Sequence, residues 1–162
     1  MDGAPAGAHA VVEMSRNLVA AAAAALALAL VPAVQARVVP QQGLGGVRLG
    51  MTKAQVTAKV GQPAVRTRAK PIVWSFHRFW VTFRDGRVVD VSTSSGTELT
   101  ASGIGLYSTR EQILKAVPAA VCEPYVPYLR CRLGSGEPRT RVTDFYLGHG
   151  WVVQTSVTLL PR

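Results

Sequence analysis

A glycine-rich run, GGVRLGMTKAQVTAKVGQP (residues 45–63), has the composition of a phosphate-binding loop that leads into a helix. A P-loop requires G-x-x-x-x-G-K-[ST], and here Gly50 is followed by Met51 and Thr52 instead of a lysine and a hydroxyl residue. A dinucleotide fingerprint would require glycine where Arg48 stands. The run therefore predicts no nucleotide site and no nucleotide partner.

The sequence also has few of the residue patterns that support acid–base catalysis, nucleophilic catalysis or metal binding. His77 and His149 are the only histidines after residue 36, and no G-x-S-x-G, H-E-x-x-H or paired-carboxylate spacing occurs. We expect no catalytic residue, no metal site and no cofactor, and hence no enzyme activity. A small hydrolase assembled from distant residues is the less favoured alternative. Such a hydrolase would require a cleft in which His77 or His149 meets a carboxylate. The acids are instead scattered on predicted turns or solvent-facing strand positions, where carboxylates are usually structural: Asp85, Asp90, Glu137 and Asp144.

The beginning of the chain has the features of a secretory signal peptide. Arg16 precedes an apolar run (residues 18–31), and the small-residue ending Val34-Gln35-Ala36 follows. Residues 1–36 are therefore predicted to be a signal peptide, with Met14 as an alternative start. No cysteine lies at the cleavage site, so no lipid anchor is predicted. The sequence predicts a secreted, periplasmic or otherwise extracytoplasmic protein.

Cleavage after Ala36 would leave 126 residues with 17 basic and 7 acidic side chains, a net charge of +10. In an exported protein this charge favours an anionic envelope polymer, a membrane surface or an acidic protein as partner, and no nucleic acid partner is expected. A basic surface that serves only solubility is the alternative.

Two cysteines, Cys122 and Cys131, lie in the predicted mature chain. An even number at short spacing in an oxidising compartment predicts a disulfide. In the chain-entropy treatment, closing this loop stabilises the fold by about 2.5 to 3 kcal/mol.

An internal repeat organises these residues. GVRLGMTKAQV (residues 46–56) aligns with GIGLYSTREQI (103–113), and VTFRDGRVVDVS (81–92) aligns with FYLGHGWVVQTS (145–156). The offset grows by 7 residues, which we place in the loop at residues 134–141. The pattern predicts two divergent copies, at residues 37–98 and 99–162.

Each copy is predicted to begin with a short helix. Thr52 with Gln55, and Thr109 with Gln112, have the T-x-x-Q spacing of a capping box. Three strand-like runs follow each helix, at residues 72–76, 78–84 and 87–94 in the first copy and 128–133, 141–147 and 151–159 in the second.

Hairpin turns are predicted at residues 85–86 and 149–150, with a three-residue loop at 84–86 in the first hairpin. The predicted fold class is therefore α+β: two tandem α-β-β-β repeats, with helices packed on one face of antiparallel sheet or sheets.

The helix motif LGMTKAQVTAKVGQP resembles that of the SmpA/OmlA (BamE) family of small envelope proteins. Its tandem repetition, with strands after each helix, is similar to the β-lactamase inhibitor protein (BLIP) fold. The chain differs from the first group by lacking a lipobox cysteine and by having two copies, and no inhibitory loop of the second can be matched. The resemblance implies a non-enzymatic exported protein that acts through protein or envelope contacts.

The sheet face opposite the helices is the predicted binding surface, because alternation places aromatic and basic side chains there and such residues are enriched at binding hot spots. The alternative is that these side chains merely cover one another through cation–π stacking. We predict a protein-binding or envelope-structural module; electrostatic binding to an anionic envelope component is the alternative function. The predicted binding residues are Arg78, Trp80, Arg84, Tyr128, Arg130, Arg132 and Tyr146.

Overall fold

The computed structural model describes residues 38–162, so the predicted signal peptide at residues 1–36 lies outside the described residues. Among the described residues, no helix has the length and apolar character needed to cross a membrane. The described chain forms two helices, α1 (Lys53–Val60) and α2 (Arg110–Ala116). The strands are β1 (Val38–Val39), β2 (Gly43–Leu44), β3 (Val47–Arg48), β4 (Val65–Arg66), β5 (Ile72–Ser75), β6 (Trp80–Arg84), β7 (Arg87–Thr93), β8 (Val121–Tyr125), β9 (Tyr128–Leu133), β10 (Arg141–Gly148) and β11 (Trp151–Leu159).

These strands form two antiparallel sheets. The small sheet has the order β1-β2-β3, and the large one has the order β4-β5-β6-β7-β11-β10-β9-β8. The predicted α+β class with antiparallel sheets is confirmed. The expected count of three strands after each helix is wrong, since four follow each helix. The missed strands are the two edges of the large sheet, where a two-residue strand (β4) or a proline, Pro124 in β8, is tolerated and the usual strand pattern is weak.

Both helices begin with the predicted capping box. The Thr52 hydroxyl accepts from the Gln55 backbone N–H at 3.3 Å, and the Gln55 side chain accepts from the Thr52 N–H at 2.9 Å. Thr109 and Gln112 repeat the arrangement at 3.4 and 2.8 Å. Each pair satisfies backbone donors that a helix start would otherwise leave unpaired.

The helices pack on one face of the large sheet, which we call the helix face. Val56 of α1 belongs to a buried cluster with Val157, and Ile113 of α2 belongs to one with Phe145. Val157 lies opposite Thr143 in the register, and Phe145 is two residues beyond Thr143, so both side chains point to the same side.

The two central hairpins share an unusual combination of turn and bulge. Arg84 pairs with Arg87, which leaves a two-residue turn whose residues, Asp85 and Gly86, have φ of 51° and 75°. The three-residue loop expected from the sequence is therefore wrong. The strand register shifts after Thr82 because β7 contains a β-bulge. This shift keeps the apolar residues on the helix face despite the shorter turn. The β10–β11 hairpin has the same two-residue turn and a register shift of its own.

Candidate functional site

The second face of the large sheet, opposite the helix face, carries most of the predicted binding residues. One polar row crosses five neighbouring strands through directly paired positions, and it brings both halves of the chain onto a common surface. The row consists of Trp80, Ser92, Ser156, Asp144 and Arg132.

Arg132 is locked in an ion pair within this row. Its Nε and Nη2 donate to Asp144 Oδ1 and Oδ2, both at 2.7 Å, and the side chains are only 15% and 3% exposed. The hydrogen bond to Asp144 raises the pKa of the Arg132 guanidinium. Such a bidentate pair is geometrically rigid, so Arg132 supports the face and offers few free donors to a partner.

Arg130, on the same strand, is neutralised in a similar way. It donates to the Glu123 carboxylate across the β8–β9 pair, and its guanidinium lies 4.5 Å from the centre of the Tyr125 ring. The hydrogen bond from Arg130 lowers the pKa of Glu123. Cation–π stacking within the surface, an alternative open at the level of the sequence, is therefore present.

Tyr146 lies at the centre of this region. Its ring centroid is 5.6 Å from that of Tyr125 and 6.3 Å from that of Tyr128, and its hydroxyl lies 3.5 Å from Asp144 Oδ2. Burial raises the pKa of the Tyr146 phenol, and the Asp144 charge adds to this effect. Tyr146 is thus held neutral as a hydrogen-bonding and packing centre for the surrounding rings.

A row of exposed rings borders this centre. Tyr125 lies opposite Tyr128, and Gly148 lies opposite Trp151. A Cβ on Gly148 would lie 3.6 Å from the Tyr128 ring, an ordinary contact distance, so that ring lies close to the backbone of β10. Tyr125, Tyr128 and Trp151 are 46%, 42% and 45% exposed.

We call Tyr125, Tyr128, Tyr146 and Trp151 the aromatic patch. Sequence reasoning missed Tyr125 because it lies in the unpredicted edge strand β8. It also missed Trp151, although that residue stands at the start of a predicted strand, because its side depends on the bulge in β11.

The predicted residues of the first half lie apart from the patch. Trp80 is 39% exposed, at the far end of the polar row. Arg78 Nε lies 3.4 Å from Oε1 of the fully buried Glu98, and burial raises the pKa of Glu98 while Arg78 opposes the rise. Arg84 lies beside the β6–β7 turn, at the opposite end of β6 from Trp80. The structure therefore groups Tyr128, Arg130, Arg132 and Tyr146, and separates Arg78, Trp80 and Arg84 from them.

Asp90 is a further carboxyl group of this face, besides Asp144 and Glu123. The Thr158 hydroxyl donates to Asp90 Oδ1 at 2.6 Å. Burial raises the pKa of Asp90, the bonds from Thr158 and Ser92 oppose the rise, and the nearby Asp144 adds to it. Within residues 38–162, neither histidine forms an ion pair or hydrogen bond with a carboxylate.

The predicted disulfide between Cys122 and Cys131 is confirmed. The two cysteines are paired directly across β8 and β9, and Cys131 is fully buried in the cluster around Ile113. The bond attaches the edge strand that carries Glu123 and Tyr125 to the body of the sheet, and so it positions one border of the aromatic patch.

No protein-family model and no curated protein matches the sequence. Among solved structures, an extracellular protein containing an SCP domain from Bacillus anthracis is similar, with a TM-score of 0.52 and 10% identity over 68% of this chain and 43% of that one. A DUF4309 family protein from Bacillus subtilis (TM-score 0.48, 13% identity, 67% of this chain and 78% of that one) and a cysteine-rich secretory protein from Staphylococcus aureus (0.47, 14%, 74% and 47%) are also similar. The chain thus spans less than half of the Bacillus anthracis protein, and that likeness concerns the fold alone.

These findings correct the resemblance drawn from the sequence. The assignment to the SmpA/OmlA (BamE) and BLIP group is wrong, because the Bacillus anthracis protein with a similar fold is of another kind and the sheet-rich fold with two short helices differs. The physical reason is that the quoted motif encodes a capped helix start. A local signal of this kind does not specify the sheet on which the helix packs.

Proposed function

We propose that this chain is an exported, non-enzymatic binding module that recognises a protein partner through the aromatic patch. The observation that carries the proposal is the row of exposed rings, Tyr125, Tyr128 and Trp151, on a sheet whose edge strand is held by a disulfide. Rigid aromatic side chains offer a large contact area at a low cost in conformational entropy.

The charges around the patch indicate the kind of partner. Arg130 and Arg132 are each matched by a carboxylate, so the patch presents rings and hydrogen-bonding groups without a net charge. A surface of this type favours an apolar or aromatic protein segment over an anionic polymer. The separate position of Trp80 on the same face would extend the contact if the partner is long.

Export is supported by the signal-peptide pattern of residues 1–36 and by the disulfide, which is typical of oxidising compartments. The similar protein from Bacillus anthracis is extracellular, which agrees with this placement. No feature argues for a lipid anchor, and we propose that the mature chain is released from its signal peptide without one.

We also propose that the domain arose by duplication, with copies at residues 37–98 and 99–162. The two capping boxes and the two bulged hairpins support this origin. Equivalent single bridges join each helix cap to its hairpin, Thr52 to Arg87 and Thr109 to Trp151. In this scheme the patch belongs to the second copy alone, so the two copies would have diverged in function.

Photo-crosslinking tests the proposed site. A photoreactive phenylalanine analogue at Tyr128 should give an adduct with a defined envelope or extracellular protein. The same analogue at Val65, an exposed position on the opposite edge strand, should not give that adduct. With the identified partner, Trp151→Ala should weaken binding by about 2 kcal/mol, roughly thirtyfold. Equal adducts from both positions, or unchanged affinity of the Trp151 variant, would refute the proposal, and a probe at Trp80 tests the extended contact.

A further inference from the structure

A groove lined by several basic side chains lies apart from the aromatic patch. It has a volume of about 860 Å³ and runs between the β6–β7 turn and the C-terminal segment. Among its described lining residues, Asp85 is the one acidic side chain. Four arginines line the groove: Arg84, Arg87, Arg139 and Arg162.

Hydrogen bonds fix the positions of two of these arginines, Arg87 and Arg139, on opposite sides of the groove. Arg87 Nη1 donates to the Gly50 carbonyl at 3.0 Å, and the Gly50 N–H donates to the Val88 carbonyl at 2.8 Å. On the other side, the Arg139 N–H donates to the carbonyls of Leu160 and Pro161 at 3.2 and 3.3 Å. The start of β7 and the C-terminal segment thus become two walls of one groove.

The arginines of β6, β7 and the loop before β10 in this groove form no ion pair within the described chain. No carboxylate of residues 38–162 lies within 4.0 Å of the guanidinium groups of Arg84, Arg87 or Arg139. In contrast, the arginines of the second face, Arg130 and Arg132, each have an acidic partner. Four guanidinium groups therefore line one groove, and those of Arg84, Arg87 and Arg139 have no acidic partner within the described chain.

A directly opposed pair of arginines occurs beside the turn of the first hairpin and not beside that of the second. Arg84 and Arg87 flank its two-residue turn as a directly opposed pair, whereas Gly148 and Trp151 occupy the same places beside the second turn. Like charges placed directly opposite one another on neighbouring strands destabilise a sheet. A bound anion would offset that repulsion.

We propose that the groove binds a ligand with several phosphate groups. Arginine rather than lysine lines it, and the planar guanidinium matches the oxygens of phosphate in two parallel hydrogen bonds. Three or four guanidinium groups exceed the charge of one phosphate, so a chain or array of phosphates fits the groove better than a single ion. This site is separate from the aromatic patch and does not depend on the proposed protein partner.

Two probes distinguish the sources of such phosphates. Titration calorimetry with inorganic polyphosphate, at an ionic strength of about 0.15 M, tests a soluble or polymeric chain. Cosedimentation with phosphatidylglycerol vesicles, against phosphatidylcholine vesicles, tests lipid head groups. Binding to either probe supports the site and names the source, and binding to neither overturns the proposal.

Variants assign the binding to the groove. The Arg84→Ala/Arg139→Ala protein should bind at least about tenfold more weakly. The matched control, Arg68→Ala/Arg110→Ala, removes the same charge from exposed positions outside the groove and should bind nearly as the wild type does. An equal loss in both proteins would mean that net charge alone attracts the ligand, and it would overturn the site. Tyr128→Ala should leave phosphate binding unchanged, which separates this test from that of the protein-binding patch.

Discussion

Replacing Arg132 with methionine tests whether the polar row is a structural element of the sheet. Methionine keeps an apolar stem and removes the guanidinium, which leaves the Asp144 carboxylate 3% exposed. The Tyr146 hydroxyl, at 3.5 Å, is too distant to replace two bonds of 2.7 Å. Breaking a buried pair on one side costs about 3 to 5 kcal/mol, and we expect about 3 kcal/mol because Arg132 retains some contact with water.

Urea unfolding at pH 7 measures this loss from the midpoint and slope of the transition. The double variant Arg132→Met/Asp144→Leu should recover most of the lost stability, since no unpaired charge then remains. Arg130→Met is the control on the same strand, and its loss should be smaller because its partner Glu123 is half exposed. A loss below about 0.5 kcal/mol for Arg132→Met, or no recovery in the double variant, would refute the assignment of a buried structural pair.

Three further predictions concern stability. Because burial raises the pKa of Asp90 above its ordinary value of about 3.9, its contribution to stability is present at low pH and is lost as the pH rises through the raised value. Asp90→Asn should therefore be more stable than the wild type at pH 7 but not at pH 3.5 in urea titrations, and a destabilised variant at pH 7 would contradict this. Reduction of the Cys122–Cys131 bond, or Cys122→Ser/Cys131→Ser, should cost about 2.5 to 3 kcal/mol and lower the melting temperature; an unchanged temperature would count against it. Gly150→Ala should cost about 1 kcal/mol because Gly150 has a φ of 93° with open space around it, and an equal loss for Gly150→Asn would argue against backbone strain.

Local features of the fold could be predicted from the residues themselves. The two capping boxes are set by threonine and glutamine three residues apart, and the hairpin turns by glycine at Gly86 and Gly150. In each case the interacting groups are near neighbours in the chain, so their types and spacing are sufficient. The loop length of the first hairpin could not be predicted, because the bulge near Val89 changes which pairing keeps the apolar face buried.

The same contrast between local and long-range information applies to the predicted binding residues. Alternation along a strand correctly brought Tyr128, Arg130, Arg132 and Tyr146 to one face, but it could not show that both arginines are neutralised. Their partners, Glu123 and Asp144, lie on other strands, and that pairing depends on the sheet register. Glu123 also lies in an edge strand that the sequence pattern does not reveal.

The sequence by itself determined the helix starts, the turn positions, the alternation of the long strands and the pairing of the two cysteines, since each depends on residues close in the chain. Only the tertiary structure decided how the two halves join through β7 and β11, and which arginines of residues 38–162 have an acidic partner within that range. Charge density and hydrogen bonding are properties of residues brought together across strands. For this reason the neutralisation of Arg130 and Arg132, and the grouping of Arg84 with Arg139 along one groove, could be seen only in the tertiary structure.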